Sequence, residues 1–215
     1  MEKDLSDYRK SYDKQELLEN NIGDNPLQLF QTWFHEVDTN CNEGETNAMT
    51  ISTIGLDGCP KSRVVLLKKI TDEGFIFYTN YESEKGKAIH NNPNVCLSFF
   101  WHQAERQVII KGTAEKIAGD LSDSYFESRP RGSQLGALVS HQSDVLEDRQ
   151  ALEMRLKHLE SKYEGKQIPR PDYWGGFIVK PVEMEFWQGR ANRLHDRIRY
   201  QLEDSFNWKI DRLSP

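Results

Sequence analysis

The sequence has little cysteine, no excess of positive charge and no long apolar run. Its three cysteines, Cys41, Cys59 and Cys96, show no C-x-x-C spacing, so neither a disulfide framework nor a zinc site is indicated. Lysine and arginine number 28 against 34 aspartates and glutamates, and the net charge of −6 argues against general binding to nucleic acid. No apolar run approaches the ~20 residues that cross a bilayer.

Several sequence signals for targeting and catalysis are also missing. The N-terminus, MEKDLSDYRK, is charged and has no apolar segment, so we expect no signal peptide and a cytoplasmic protein. No G-x-S-x-G, G-x-x-x-x-G-K-[ST] or G-x-G-x-x-G motif is present, which disfavours hydrolases, P-loop proteins and dinucleotide-binding folds. The six histidines show no H-x-x-x-H or H-x-x-E-H pairing, so we expect no metal site.

Length and composition fit a single domain behind a short polar segment. Residues 1–25 are polar and irregular up to Asn25-Pro26, and we expect them to be flexible. Residues 26–215 then form one domain. Because only 37% of the chain is hydrophobic, with a mean hydropathy of −0.75, we expect a homodimer that buries additional apolar surface.

The chain reads as strands, then helices, then strands. An amphipathic helix is predicted from Pro26, with Leu27, Phe30, Phe34 and Val37 at helical spacing on its apolar face. Asp57-Gly58 predicts a hairpin between the first two strands. Further strands at close spacing indicate an antiparallel sheet that curls into a barrel. A long helix is predicted from Asp144 to Tyr163, with Asp144 and Glu147 as its capping box. Its apolar stripe is Val145, Leu152, Leu156, Leu159 and Tyr163. Strands resume as FIVKP, VEMEFW, RIRYQL and WKIDRL, which makes this an α+β fold.

Positive charge is concentrated in four places, each beside a strand end or a turn. These are RVVLLK (63–68), YTNYESEKGK (78–87), YFESRPRGSQ (125–134) and FWQGRANRLHDR (186–197). On an acidic chain such clusters favour small anionic ligands, and a helix N-terminus near Lys85 is suited to a phosphate. The alternative is ordinary solvated charge. In the last cluster, Arg193, His195 and Arg197 lie on one strand face if that strand begins early enough.

The segments SRVVLLK, FYTN, ERQV, YFESRPRGSQLGALVSHQS, WGGF, EFWQG and RLHDR, in this order, closely resemble the pyridoxine/pyridoxamine 5′-phosphate oxidase family. The resemblance runs from about Tyr8 to Pro215. It implies an FMN-binding split β-barrel with flanking helices, assembled as a homodimer with FMN between the subunits. It also implies oxidation of pyridoxamine 5′-phosphate and pyridoxine 5′-phosphate to pyridoxal 5′-phosphate by O2, releasing H2O2 and, from the amine, NH3.

The resemblance also implies the residues of the site. The flavin-binding set is Arg63, Val64, Val65, Leu66, Leu67, Lys68, Tyr78, Thr79, Lys85, Gln107, Gln142, Ser143, Trp187 and Arg197. The substrate-binding set is Arg9, Lys10, Ser11 and Tyr12 in a closing N-terminal segment, with Lys68, Tyr125, Arg129, Ser133, Arg193, Leu194 and His195. Arg193 and His195 are the implied catalytic pair: Arg193 orients substrate, and His195 is first a hydrogen-bond donor and second a proton acceptor.

One residue departs from the family pattern. Members commonly have a basic residue in the S-x-K triplet where this chain has Glu84, and a carboxylate there would repel the flavin phosphate. Lys87, one helical turn further on, is a candidate partner for Glu84, and exposure to solvent is the alternative. The rival functions are a non-catalytic FMN- or pyridoxal-phosphate-binding protein and a flavin reductase. Intact RPRGSQ and RLHD segments favour the oxidase.

Overall fold

The computed structural model describes residues 3–8, 10–41, 44–204 and 207–215. The helices in these ranges are α1 (Pro26–Asn40), α2 (Glu84–Asn91), α3 (Gly119–Ser128), α4 (Arg131–Val139) and α5 (Arg149–Lys162), with short 3-10 turns at Glu19–Asn21 and Ala191–Arg193. The strands are β1 (Ala48–Ile54), β2 (Pro60–Thr71), β3 (Gly74–Asn80), β4 (Asn94–Trp101), β5 (Arg106–Lys116), β6 (Trp174–Gln188), β7 (Asp196–Leu202) and β8 (Trp208–Arg212). None of the described helices is long and apolar enough to span a bilayer.

The strands form one sheet that closes on itself. In the described ranges its order is β3-β2-β1-β4-β5-β6-β7-β8, and β3 also pairs with β6, so the first six strands form a closed antiparallel barrel. The closing pair runs in antiparallel register from Phe75 opposite Val179 to Asn80 opposite Trp174. Closure pairs the edge that β3 would leave exposed in an open sheet. The predicted α+β fold with an antiparallel barrel is confirmed.

Local turn and cap chemistry explains where the first elements begin and end. The Asn25 side chain accepts a hydrogen bond from the Leu27 amide (2.9 Å), so α1 begins at Pro26 as predicted. Gly58 has φ +78°, which glycine adopts at little cost, and it lies in the predicted hairpin turn between β1 and β2. The Gly55 amide closes that turn on the Cys59 carbonyl at 2.8 Å.

The chain divides into two compact units. The terminal unit comprises Met1–Met49, Leu97–Lys111 and Pro181–Pro215, and the central unit comprises Thr50–Cys96 and Gly112–Lys180. Strands β1, β4, β5 and β6 continue from one unit into the other. The prediction of one domain over residues 26–215 stays a prediction.

Aromatic rings fill the core of the terminal unit. Phe30 of α1 contacts Phe99 of β4 edge to face, with ring centroids 5.0 Å apart. Trp33, on the next part of the same helix face, meets Phe186 of β6 at 5.3 Å. These rings are buried together with Tyr200 of β7. The predicted apolar face of α1 therefore packs on the sheet, since large aromatic burial dominates core energetics.

The central unit has a second cluster under its helices. Its buried members are Phe126, Leu135, Ile168 and Trp174, and the half-buried residues packed on it include Leu156, Leu159 and Tyr163 of the long helix region. The predicted stripe of α5 is confirmed for these three positions. Its apolar residues cover core rather than a ligand.

Two predicted boundaries are wrong. The long helix begins at Arg149, not near Asp144: its cap is Asp148, whose side chain accepts the Ala151 amide at 2.7 Å. Val145 precedes the helix and is 98% exposed. Both aspartates have cap chemistry, and only tertiary packing selects between them. FIVKP and VEMEFW, predicted as separate strands, form the single strand β6 through Pro181.

Candidate functional site

A cation-lined cavity of about 610 Å³ lies in the central unit. Its volume is within the range of small-molecule sites. It is lined by the predicted site residues Val64, Val65, Leu66, Lys68, Tyr78, Thr79, Lys85, Tyr125, Arg129, Ser133 and Gln142, together with Asn80, Pro130, Gly136, Ala137, Ser140 and Trp174. No acidic side chain is among these described lining residues, although the chain as a whole is acidic. This wall favours an anionic ligand.

Stacked rings form one side of the cavity. The Tyr78 ring stacks on Tyr125, with centroids 3.8 Å apart and an interplanar angle of 19°. It also stacks on Trp174 at 5.5 Å and 12°. Burial raises the pKa of both tyrosines, so each phenol remains a protonated hydrogen-bond donor at neutral pH.

Arg129 lies over this ring cluster with an unsatisfied donor. Its guanidinium carbon is 4.6 Å from the Trp174 ring centroid, a cation–π contact. Its Nη1 atom is buried and has no hydrogen-bond partner in the described part of the chain. Burial lowers the pKa of Arg129, since the charged form is deprived of water. An unpartnered buried N–H is costly, and the oxygens of a phosphate are well suited to accept from it.

The N-terminus of α2 carries a second set of donors. Lys85 Nζ donates to Thr79 Oγ1 at 3.1 Å and to Gln142 Oε1 at 2.9 Å. Burial, followed by the charge of Arg63, lowers the pKa of Lys85. Ser83 caps the helix by accepting the Gly86 amide at 3.2 Å. Lys85, Thr79 and Gln142 are thus brought together at a helix N-terminus, where a phosphate binds well.

Glu84 lies beside this group and takes part in ion pairs. Its carboxylate pairs with Lys61, and its other oxygen lies 3.3 Å from Arg63 Nη2. The Glu84 amide donates to Ser143 Oγ at 3.3 Å. The predicted partner Lys87 was therefore wrong: Lys61 and Arg63, from β2, hold the carboxylate. The pairing crosses between elements, which helical spacing does not reveal.

The remaining members of the implied flavin set are dispersed. Leu67 is 4% exposed and belongs to the core rather than to the cavity lining. The β2–β3 register shifts between Leu67 and Lys69, which interrupts regular alternation at Lys68. Gln107, in the terminal unit, donates to Ser98 Oγ at 3.4 Å.

A separate cluster in the terminal unit contains the implied catalytic residues. The rings of Trp187 and His195 lie 4.7 Å apart, and Tyr12 packs on both, at 5.7 Å and 5.9 Å. The Arg190 amide donates to His195 Nδ1 at 3.0 Å, so the neutral ring carries its proton on Nε2. Burial, followed by the charge of Arg193, lowers the pKa of His195 and favours this neutral form.

The predicted strand face for Arg193, His195 and Arg197 was wrong. Strand β7 begins only at Asp196, and Arg193 lies in the 3-10 turn before it with φ +63°. Asn192 also has a positive φ, +57°, so two consecutive residues are left-handed and no strand is possible there. Arg193 and Leu194 are consequently exposed on a turn rather than aligned on a pleat.

Arg197 lies on β7 directly opposite Trp187 of β6. Its Nε donates to Glu185 Oε1 and its Nη1 to the Ser214 carbonyl, each at 2.8 Å. The Glu185 carboxylate raises the pKa of this arginine. The guanidinium is fixed from two sides.

Lys10, Ser11 and Tyr12 of the implied closing segment are described, whereas Arg9 lies outside the described residues. The sequence interpretation missed Trp174, which supports both Tyr78 and Arg129, and Asn80, whose side chain donates to the Ser140 carbonyl at 3.4 Å. Trp174 was recognisable only as part of the WGGF segment. Nothing in the pattern around Asn80 marks it as a lining residue.

A closed barrel with an acid-free, cation-lined cavity is typical of proteins that take small anionic ligands. Residues 37–163 match the family model described as pyridoxamine 5′-phosphate oxidase. Residues 174–215 match the model described as the pyridoxine 5′-phosphate oxidase C-terminal dimerisation region. The chain therefore belongs to the pyridoxamine 5′-phosphate oxidase family of oxidoreductases, which confirms the resemblance.

Relatives and solved structures agree with this assignment. A pyridoxine/pyridoxamine 5′-phosphate oxidase of Flavobacterium johnsoniae is 67% identical over 98% of this chain and 99% of its own length. The structure of PhzG from Burkholderia lata, solved with tetrahydrophenazine-1-carboxylic acid, has a TM-score of 0.88 at 30% identity, covering 96% of this chain and 100% of that one. A pyridoxamine 5′-phosphate oxidase-related FMN-binding protein of Nostoc punctiforme shares the fold, with a TM-score of 0.68 at 15% identity over 86% and 96% of the two chains.

Proposed function

We propose that the chain oxidises pyridoxamine 5′-phosphate and pyridoxine 5′-phosphate to pyridoxal 5′-phosphate as an FMN-dependent homodimer. O2 is the final acceptor: the alcohol gives one H2O2, and the amine consumes one water and gives H2O2 and NH3. The observation that carries the proposal is the acid-free cavity in which the buried Arg129 Nη1 has no partner among the described residues. Family membership supplies the reaction class.

FMN is the cofactor, and the chemistry of the donors fits it. Lys85, Thr79 and Gln142 meet at the start of α2, where the FMN phosphate would be held with Arg63 and Ser143. The other implied flavin residues are Val64, Val65, Leu66, Leu67, Lys68, Tyr78, Gln107, Trp187 and Arg197. When bound, FMN supplies a ring that accepts two electrons from a C–H bond and passes them to O2.

The substrate phosphate is assigned to a second group of donors in the cavity, which includes Arg129. Arg129 supplies the free Nη1–H, and Ser133 and Tyr125 add hydroxyl groups from α4 and α3. Lys68 of β2 adds a second positive charge. Arginine grips phosphate through its planar fork, which explains why a guanidinium rather than an ammonium rests on Trp174.

The terminal cluster is assigned to the reacting end of the substrate. His195 presents Nε2–H as a donor, because its Nδ1 already accepts from Arg190. Arg193, on its exposed left-handed turn, orients the substrate amine or hydroxyl. Lys10, Ser11 and Tyr12, with Arg9, form the segment that excludes water from this side. In the proposed homodimer FMN lies at the subunit interface.

The first experiment supplies pyridoxamine 5′-phosphate in air to the purified protein with added FMN. Aldehyde absorbance and H2O2 are followed together, and stoichiometric appearance of both is expected. Replacing Arg193 with Leu should lower kcat/KM by at least about tenfold with FMN saturating, since a charge-assisted contact is typically worth more than that factor. Arg155→Leu, an exposed arginine on α5, is the matched control and should leave the rate unchanged.

One outcome would contradict the proposed reaction, and a second would contradict only the role of Arg193. A protein that binds flavin and forms no aldehyde is a flavin- or pyridoxal-phosphate-binding protein instead. Near-normal turnover of the Arg193→Leu variant would remove Arg193 from the reaction while leaving the oxidase assignment intact.

A further inference from the structure

Glu105 is a buried acid in an unfavourable backbone conformation. It lies in the turn between β4 and β5 and is only 1% exposed. Its φ of +55° is left-handed, which costs a non-glycine residue free energy that the surroundings must offset. A carboxylate is also expensive to bury unless donors surround it. Both costs point to a contact that depends on this side chain.

The donors to the Glu105 carboxylate come from the N-terminal segment. Oε2 accepts the amides of Asp13 at 3.0 Å and Lys14 at 3.3 Å. Oε1 lies 3.3 Å from Lys10 Nζ. Three donors to this carboxylate therefore come from residues 10–14. Lys14 Nζ reinforces the contact by donating to the Gln103 carbonyl of the same turn.

The backbone of Glu105 holds the surface on which that segment rests. The Glu105 carbonyl accepts the Gly189 amide at 2.8 Å. A Cβ placed on Gly189 would lie 2.8 Å from Tyr12 Cβ, so the Tyr12 side chain is seated directly on this glycine. Glu105 therefore holds both sides of the Tyr12 contact. Its carboxylate binds the segment that carries Tyr12, and its carbonyl binds the amide of Gly189, on which Tyr12 packs.

We propose that Glu105 is a positioning residue that latches residues 10–14 so that Tyr12 stays packed against Trp187 and His195. An effect of this latch on substrate binding rests on the proposed function, in which His195 faces the substrate. The latch itself rests on the contacts alone. Glu105 is not among the described residues that line the cavity, and in this proposal it acts through Tyr12.

The test uses trypsin, because Lys10 and Lys14 are cleavage sites inside the latched segment. Glu105→Gly removes the carboxylate and suits the left-handed φ, so the fold should be retained. Cleavage after Lys14, followed by mass spectrometry, should accelerate by about tenfold or more, since charge-assisted hydrogen bonds are lost. Glu105→Gln keeps an oxygen for both amides and should stay much closer to the starting rate.

Two further variants keep the result interpretable. Glu73→Gly alters another acid in a hairpin turn, between β2 and β3, and should leave cleavage after Lys14 unchanged. Lys10→Met removes one partner without touching the Glu105 turn and should give a smaller acceleration, about two- to threefold. This second variant decides the question if Glu105→Gly does not fold.

Steady-state kinetics separate a latch from general structural damage. In Glu105→Gly the KM for pyridoxamine 5′-phosphate should rise about tenfold while kcat and FMN affinity change little, with rescue by Gln. Unchanged trypsin cleavage in both Glu105→Gly and Lys10→Met would overturn the latch, as would equal losses in KM, kcat and FMN affinity. If the unaltered protein does not turn over pyridoxamine 5′-phosphate, the proposed function fails and the trypsin comparison still decides the latch.

Discussion

Single residues set how strongly the cavity attracts a phosphate. Glu84 neutralises Arg63, one of the groups assigned to FMN, and its carboxylate also takes up Lys61. All three side chains are roughly half exposed, so solvent screens the pair and its worth is modest. If Arg63 holds the FMN phosphate as proposed, Glu84 competes with that phosphate for the guanidinium.

Replacing Glu84 with Gln should tighten FMN binding. Releasing an exposed ion pair returns up to ~1 kcal/mol, which corresponds to a roughly two- to fivefold lower Kd. The measurement is a titration that follows the quenching of FMN fluorescence. Glu82→Gln removes an equal charge from an exposed site two residues earlier and serves as the control. An unchanged or higher Kd in Glu84→Gln alone would show that Glu84 does not compete for Arg63.

At this scale the sequence predicts chemistry better than contacts. The phosphate-binding residue types in RPRGSQ and YTNYESEK were recognisable, and the cavity brings Lys85, Thr79, Arg129 and Ser133 to its walls. The partner of Glu84 was not predictable, because it depends on how β2 lies against α2. The left-handed turn at Asn192 and Arg193 contains no glycine, so the sequence did not predict it.

Secondary-structure elements begin where a side chain satisfies their free amides. The sequence offers both Asp144 and Asp148 before the long helix, and the structure uses Asp148. Leu156 and Leu159 of this helix pack on the buried cluster around Phe126, whereas Val145 is exposed. Burial decides between two equally good caps.

The location of this cap can be tested by a pair of substitutions. Asp148→Ala should lower the free energy of unfolding by about 1 kcal/mol, because the Ala151 amide loses its acceptor. Asp144→Ala, the matched control, should change it by less than about 0.5 kcal/mol. Urea unfolding followed by circular dichroism measures both. A larger loss in Asp144→Ala would restore the earlier helix start.

Strand positions were better predicted than strand continuity. The hairpin at Asp57-Gly58 follows from turn chemistry alone, and the structure confirms it. Because Pro181 cannot donate a ladder hydrogen bond, the sequence predicts that the strand ends there. Pairing on both sides of Pro181, with β3 before it and with β7 after it, keeps the strand intact.

At the scale of the whole molecule, ligand binding should appear as stability. FMN binds the folded chain, so at one hundred times its Kd it adds ~2.7 kcal/mol to the free energy of unfolding. For a chain of this size that raises Tm by roughly 5–10 °C. Riboflavin, which has the same ring and no phosphate, is the control and should give a much smaller shift. Equal shifts for the two flavins would contradict the assignment of Lys85 and its neighbours to the phosphate.

The contrast between an acidic chain and an acid-free cavity has a consequence for the rate of ligand capture. FMN and the proposed substrates are anions, so a net charge of −6 repels them at distances too long for the cations of the cavity to attract them. Lys68, Lys85 and Arg129 act only at close range. Dissolved salt screens the distant repulsion first, because screening grows with separation. The rate of association should therefore increase as ionic strength rises from very low values. If attraction by the cavity alone governed capture, salt would slow association instead.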